Sequence, residues 1–121
     1  VPKYKSIAVI TEKTDYSLGL EKTFSSSAKE LGGNIVSSEM FSGETKDFRS
    51  VLSRINITKP DVLFINPQTG QNAFAIAKQA RDMGIDAQFV AVYFTGDEYV
   101  KKFTLKEISL CRRVVEKMMN L

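Results

Sequence analysis

KSIAVIT, from Lys5 to Thr11, is a short and almost unbroken apolar run, and the residues after it, EKTDYSLGLEKTF, change period. A brief Ile/Ala/Val run with polar flanks is the pattern of a parallel strand covered on both faces. From Tyr16 onward, Leu20, Phe24, Ala28 and Leu31 fall four, four and three apart, which places them on one face of a helix. Asp15 or Thr14 can cap that helix, and Gly32-Gly33 supplies a left-handed stop. A strand running directly into a helix is half of a crossover unit. The fold depends on whether the unit repeats.

It repeats. NIVSSEMF (Asn34–Phe41) reads as a second strand, and its serines and Glu39 suit an edge position. Thr45 or Asp47 can cap a helix carrying Phe48, Val51, Leu52 and Ile55, and Pro60 closes it, because the residue before proline avoids helical backbone. DVLFIN (Asp61–Asn66) is the third strand and the most apolar. A helix from about Gly70 to Met83 buries Ala73, Ile76, Ala77, Ala80 and Met83. Gly84 fits its C′ position, with Ile85 folding back as the hydrophobic contact. QFVAVYF (Gln88–Phe94) is the fourth strand. Beyond Thr95-Gly96, DEYVKKF reads as a short helix, and Ile108, Cys111, Val115 and Met118 mark a last one.

Strands alternating with helices are joined by right-handed crossovers into a parallel sheet. The predicted fold is an α/β three-layer sandwich with about four parallel strands in the flavodoxin-like order 2-1-3-4. At 121 residues the chain is read as one lobe, 1–121, with no internal linker or repeat.

Composition narrows the function. The net charge is +3, with 17 Lys and Arg interspersed among 14 Asp and Glu, which is not the clustered footprint of nucleic-acid binding. There is no histidine, so the commonest general base and metal ligand is missing. The single cysteine, Cys111, falls in the apolar phase of a helix and reads as a small buried hydrophobe. No run of eighteen apolar residues occurs. The opening VPKYKS has neither an initiator methionine nor an apolar signal segment, so the chain reads as cut from something longer or as a mature product.

In a doubly wound sheet, ligands sit beyond the carboxyl ends of the strands where crossovers change side. That crevice lies between the loop 12–16 (Glu12-Lys13-Thr14-Asp15-Tyr16) and the loop 66–71 (Asn66-Pro67-Gln68-Thr69-Gly70-Gln71). The loop around Tyr93-Phe94-Thr95-Gly96-Asp97 is their neighbour. The first loop has no glycine for cradling a phosphate, and Glu12 and Asp15 would repel one, which argues against a nucleotide or flavin. A phosphoacceptor domain needs an aspartate ending the third strand, where this chain has Asn66. No GxSxG elbow is present. Glu12 and Asp15 could pair for acid–base work, but they read as solvated loop carboxylates. Asp97-Glu98 lacks the further ligands a metal needs. Binding without chemistry, with no cofactor or metal, is the expectation.

IAVITEKTDYSLGLEKTFSSSAKELGGNIVSSEMF resembles half of a type I periplasmic binding protein of the branched-chain amino acid (Leu/Ile/Val) receptor family. That family's second lobe begins with a strand, a polar turn, Tyr-Gly-x-Gly and a helix ending in Gly-Gly. Segments like GETKDFRSVLSRI, PDVLFI and KQAR…MGIDAQFV follow. The likeness covers about residues 4–92, and 95–121 diverge. The resemblance implies two lobes that close on a solute by hinge bending and deliver it to the membrane subunits of an ABC importer. It implies a periplasmic or extracellular, surface-attached location. It also implies that Tyr16 and the Asn66–Gly70 loop face the cleft, with a third contact near Tyr93. The candidate ligand-facing residues are therefore Asp15, Tyr16, Asn66, Gln68, Thr69 and Tyr93.

Two departures stand out. Ser17 replaces the first glycine of the tyrosine motif, and the acidic residue that pairs with an α-ammonium group is not at the end of the fourth strand. The expected ligand is an amino acid or a related small polar molecule. A single lobe lacks its second wall, so weak, millimolar binding is expected, about 4 kcal/mol or less. The bare wall also favours self-association, with a second chain standing in for the missing lobe. A sensory lobe of a regulator is the other reading of the same fold.

Overall fold

β1 (Ser6–Glu12) is the hub. It pairs in parallel with β2 (Asn34–Phe41) on one side and with β3 (Val62–Asn66) on the other, and β3 pairs in parallel with β4 (Gln88–Ala91). The strand order is β2-β1-β3-β4, as read from the sequence. The structure is a computed structural model that describes residues 5–91. The end of the predicted fourth strand, Tyr93 and the helices expected over 95–121 lie outside them.

The alternation along β1 divides the core in two. Ile7 and Val9 join Val62, Phe64 and Val90 on the face covered by α1 (Asp15–Glu30), which contributes Leu20, Phe24 and Ala28. Ala8 and Ile10 join Leu63, Ile65 and Phe89 on the face covered by α2 (Arg49–Ile57) and α3 (Gly70–Asp82). Phe24 stacks on Phe64 with centroids 4.0 Å apart, and Phe41 meets Phe48 edge-on at 5.1 Å. These are the three predicted layers.

The helix ends follow backbone chemistry. Gly32 after α1 has φ 91° and Gly84 after α3 has φ 80°, the left-handed region that suits glycine. In both cases the next amide reaches back, Gly33 N to Ala28 O at 2.8 Å and Ile85 N to Ala80 O at 3.0 Å. After α2 the equivalent residue is Lys59, at φ 48°. Pro60 follows it and has no N–H for the second bond of that motif.

Several predicted boundaries move. β1 runs one residue past Thr11, so Glu12 belongs to the strand. α1 starts at Asp15, and its cap is Thr14, whose Oγ1 accepts from Ser17 N at 3.1 Å. Neither Thr45 nor Asp47 caps α2: the N-cap is Phe48, without a side-chain bond of its own. Gln79 of α3 compensates, its Oε1 accepting from Phe48 N at 2.7 Å and its Nε2 donating to Lys46 O at 2.9 Å. At the amino end of the sheet the Asp61 carboxylate accepts from Lys5 N and Ser6 N at 3.0 and 3.1 Å. These bonds, that from Ser6 foremost, hold its carboxyl below the ordinary value of 3.8.

Candidate functional site

The crevice is built where β1 and β3 end side by side, with Thr11 opposite Asn66. Thr11 and Asn66 fall on the α1 side. Both are fully buried, and Asn66 Nδ2 donates to Ser17 O at 2.7 Å and to Thr11 Oγ1 at 3.4 Å. Thr11 Oγ1 in turn donates to Glu21 Oε1 at 3.0 Å, which also accepts from Ser38 Oγ at 3.1 Å. A polar chain thus runs from the end of β3 to the edge strand. Two buried oxygens in this region, Asn66 Oδ1 and Ser17 Oγ, have no partner among the described residues.

Glu12 falls on the opposite side. Far from being solvated, it is 7% exposed, and its Oε1 accepts from Gln68 N at 2.9 Å and Asn72 Nδ2 at 3.4 Å. Its place as the last strand residue puts it under the loops, so pairing with Asp15 for proton transfer is not its arrangement here. Asp15 is the first residue of α1 and is exposed.

The two switch-point loops touch directly. Thr14 Oγ1 donates to Gln68 Oε1 at 2.7 Å while it accepts from Ser17 N, so one hydroxyl caps α1 and bridges the crevice. The bridge leaves the Nε2 donors of Gln68 for another acceptor. Thr69 does the equivalent job at α3, with its Oγ1 accepting from Asn72 N at 3.2 Å. Two helix N-termini, of 16 and 13 residues, therefore stand at one crevice, where the positive ends of their dipoles favour negative charge. Asp15 adds a carboxylate at the same rim. The wall offers both signs, and Tyr16, the second residue of α1, is 40% exposed beside it.

Of the candidate residues, the structure brings Asp15, Tyr16, Gln68 and Thr69 to this wall, and it seats Asn66 beneath it as a buried support. Tyr93 lies outside the described residues. Sequence reading took Glu12 for a solvated loop carboxylate and passed over Asn72 and Glu21; the side-chain bonds of Glu12 to Asn72 and of Glu21 to Thr11 span 60 and 10 positions. Among the described residues no group of acidic or sulfur side chains is placed to hold a metal ion, and no helix is long and apolar enough to cross a membrane. A cleft of about 260 Å³ opens at the other end of the sheet, between the C-termini of α2 and α3. Its Asp61 carboxylate is already engaged by two backbone amides, so we favour the carboxyl-end crevice as the site.

The family profile described as periplasmic binding protein matches residues 1–109. The chain is similar to the Leu/Ile/Val-binding protein of Citrobacter freundii, 27% identical over 110 residues that cover 88% of this chain and 28% of that protein. Among solved structures it is similar to a leucine binding protein from Thermotoga maritima, 32% identical with a TM-score of 0.66, over 73% of this chain and 25% of that one. It shares its fold with a solute binding protein of an ABC transporter from Rhodopseudomonas palustris, solved with 3,4-dihydroxybenzoic acid (22% identical, TM-score 0.63, covering 74% of this chain and 25% of that one). The chain thus spans about a quarter of the length of these relatives. It belongs to the periplasmic binding protein family, and its described residues are part of one lobe of the type I fold.

Proposed function

We propose that this chain supplies one wall of a solute-binding cleft that accepts an amino acid or a related small polar molecule without transforming it. The observation that carries the proposal is the Thr14–Gln68 bridge, which makes the loops after β1 and β3 a single polar wall at the switch point. On that wall, helix N-terminal donors face a ligand's carboxylate or amide oxygen, Asp15 faces a cationic group, and Tyr16 offers a ring for packing. The names of the relatives point the same way, to solute capture for an ABC importer in the periplasm or at the cell surface. In that setting a second lobe closes the cleft, and the loaded protein is read by the importer's membrane subunits. Catalysis has no part in this reading, because Glu12 is committed to amide donors and Asp15 stands at an open turn.

The test is a nitrogen-15 NMR titration of the chain with L-leucine, L-valine and 3,4-dihydroxybenzoate. We expect shifts confined to Asp15, Tyr16, Gln68 and Thr69, with a Kd of about 1 mM or weaker, since one wall supplies roughly 4 kcal/mol or less. Tyr16→Ala should abolish them. Shifts that instead gather around Asn56 and Asp86, or none with any probe at saturating concentration, would sink the reading.

A further inference from the structure

A buried carboxylate is costly unless its oxygens are hydrogen-bonded, and an uncharged or apolar residue could have ended β1 more cheaply. Yet Glu12 stands there at 7% exposure, and no described ion pair neutralises it. Three segments surround it, and two of them donate to it. Gln68 N, in the β3–α3 loop, donates to Oε1 at 2.9 Å. Asn72 Nδ2, in the first turn of α3, reaches the same oxygen at 3.4 Å and also Gly43 O at 3.4 Å. Gly43, in the β2–α2 loop, leaves room for the other oxygen: a Cβ there would lie 2.6 Å from Glu12 Oε2. That separation is below any normal contact, so a side chain at 43 would push the carboxylate out of its present place.

We propose that Glu12 is the positioning residue of the cleft wall. It ties the β3–α3 loop to the end of β1 directly and the β2–α2 loop through Asn72, and so sets where Gln68 and Thr69 stand before any ligand arrives. Gly43 is its steric counterpart. The coupling rests on the geometry alone, while its consequence for binding rests on the solute-binding reading above. A wall held rigid in advance loses less entropy when the ligand docks.

Hydrogen exchange of the Gln68 amide, followed by NMR, tests this without a ligand. The amides of Phe64 and Ile65 in β3 serve as the internal reference. E12A should speed exchange at Gln68 about tenfold or more, the order expected for losing a bond to a charged acceptor, and leave Phe64 and Ile65 unchanged. E12Q should restore protection, because its amide oxygen accepts the same bond. G43A alone should speed exchange at Gln68 by displacing the carboxylate, and it should add nothing in the E12A background. Unchanged exchange in E12A, or effects of G43A and E12A that simply add, would overturn the proposal. If E12A does not fold, G43A against E12Q decides: loss of protection in G43A with retention in E12Q supports the lock, and equal exchange in both overturns it. Repeating the L-leucine titration on the same samples separates the two readings. Coupled exchange with no leucine shifts leaves the lock standing and removes leucine binding. Leucine shifts with uncoupled exchange do the reverse.

Discussion

Ser17 stands where the resemblance to the family's tyrosine motif implies a glycine. Its hydroxyl is fully buried in the first turn of α1 with no partner among the described residues, whereas a glycine would bury nothing polar. A buried hydroxyl without a bond costs about 1–3 kcal/mol, so Ser17→Ala should be neutral or should stabilise the fold by up to about 1 kcal/mol in a urea melt. Destabilisation beyond that would show that the hydroxyl has a bonded partner after all. Asp61 behaves in the opposite way. Backbone amides from Ser6 and Lys5 hold its carboxyl below the ordinary 3.8, so the folded state binds its proton less readily than the unfolded chain. The stability it contributes is therefore present above that ordinary value and is lost as pH falls through the lower, folded one. The urea midpoints of the native chain and of Asp61→Asn should differ at neutral pH and converge in acid. A gap that persists through the carboxylate range would rule out this linkage.

At the scale of elements, the alternation of strand and helix was legible because each is signalled locally: short apolar runs, four-residue spacing, and glycines where the backbone turns left-handed. What was not legible depends on contacts made across the fold. The start of α2 is the example. Asp47 and Thr45 have the right chemistry for a cap, yet the partner of the Phe48 amide is Gln79, 31 residues on and in another helix. Gln79→Ala should cost about 1–3 kcal/mol, the price of a donor left unpaired in the interior. The loss should be largest at the α2 end, where exchange of the Phe48 amide should rise. Equal protection at Phe48 in both proteins would show that water replaces the glutamine. The same limit explains the site. The switch-point loops and their polar residues could be located from strand order, but Glu12 read as a loop carboxylate, because nothing in its neighbourhood foretells Gln68 and Asn72 arriving from some 56 and 60 positions away.

At the scale of the whole molecule, the relatives are about three times longer than this chain, and on the proposed reading the chain carries one wall of their cleft. Tyr16 is 40% exposed at that end of the sheet. Sedimentation velocity at increasing concentration should show reversible dimers that leucine strengthens, since a second chain standing in for the missing lobe would hold the ligand between two walls. A monomer at every concentration would end the idea of a self-made second wall. The central place of β1 has a separate consequence, in time rather than space. Its inner partner, β3, is about 55 residues further along the chain, as the Thr11–Asn66 contact illustrates. At a ribosomal pace of about 5–20 residues per second, one edge of the most connected strand waits roughly 3 to 11 s for its neighbour to be made. For that interval the nascent IAVI segment is an open template, and a holding chaperone or a delay in translocation would act on it there.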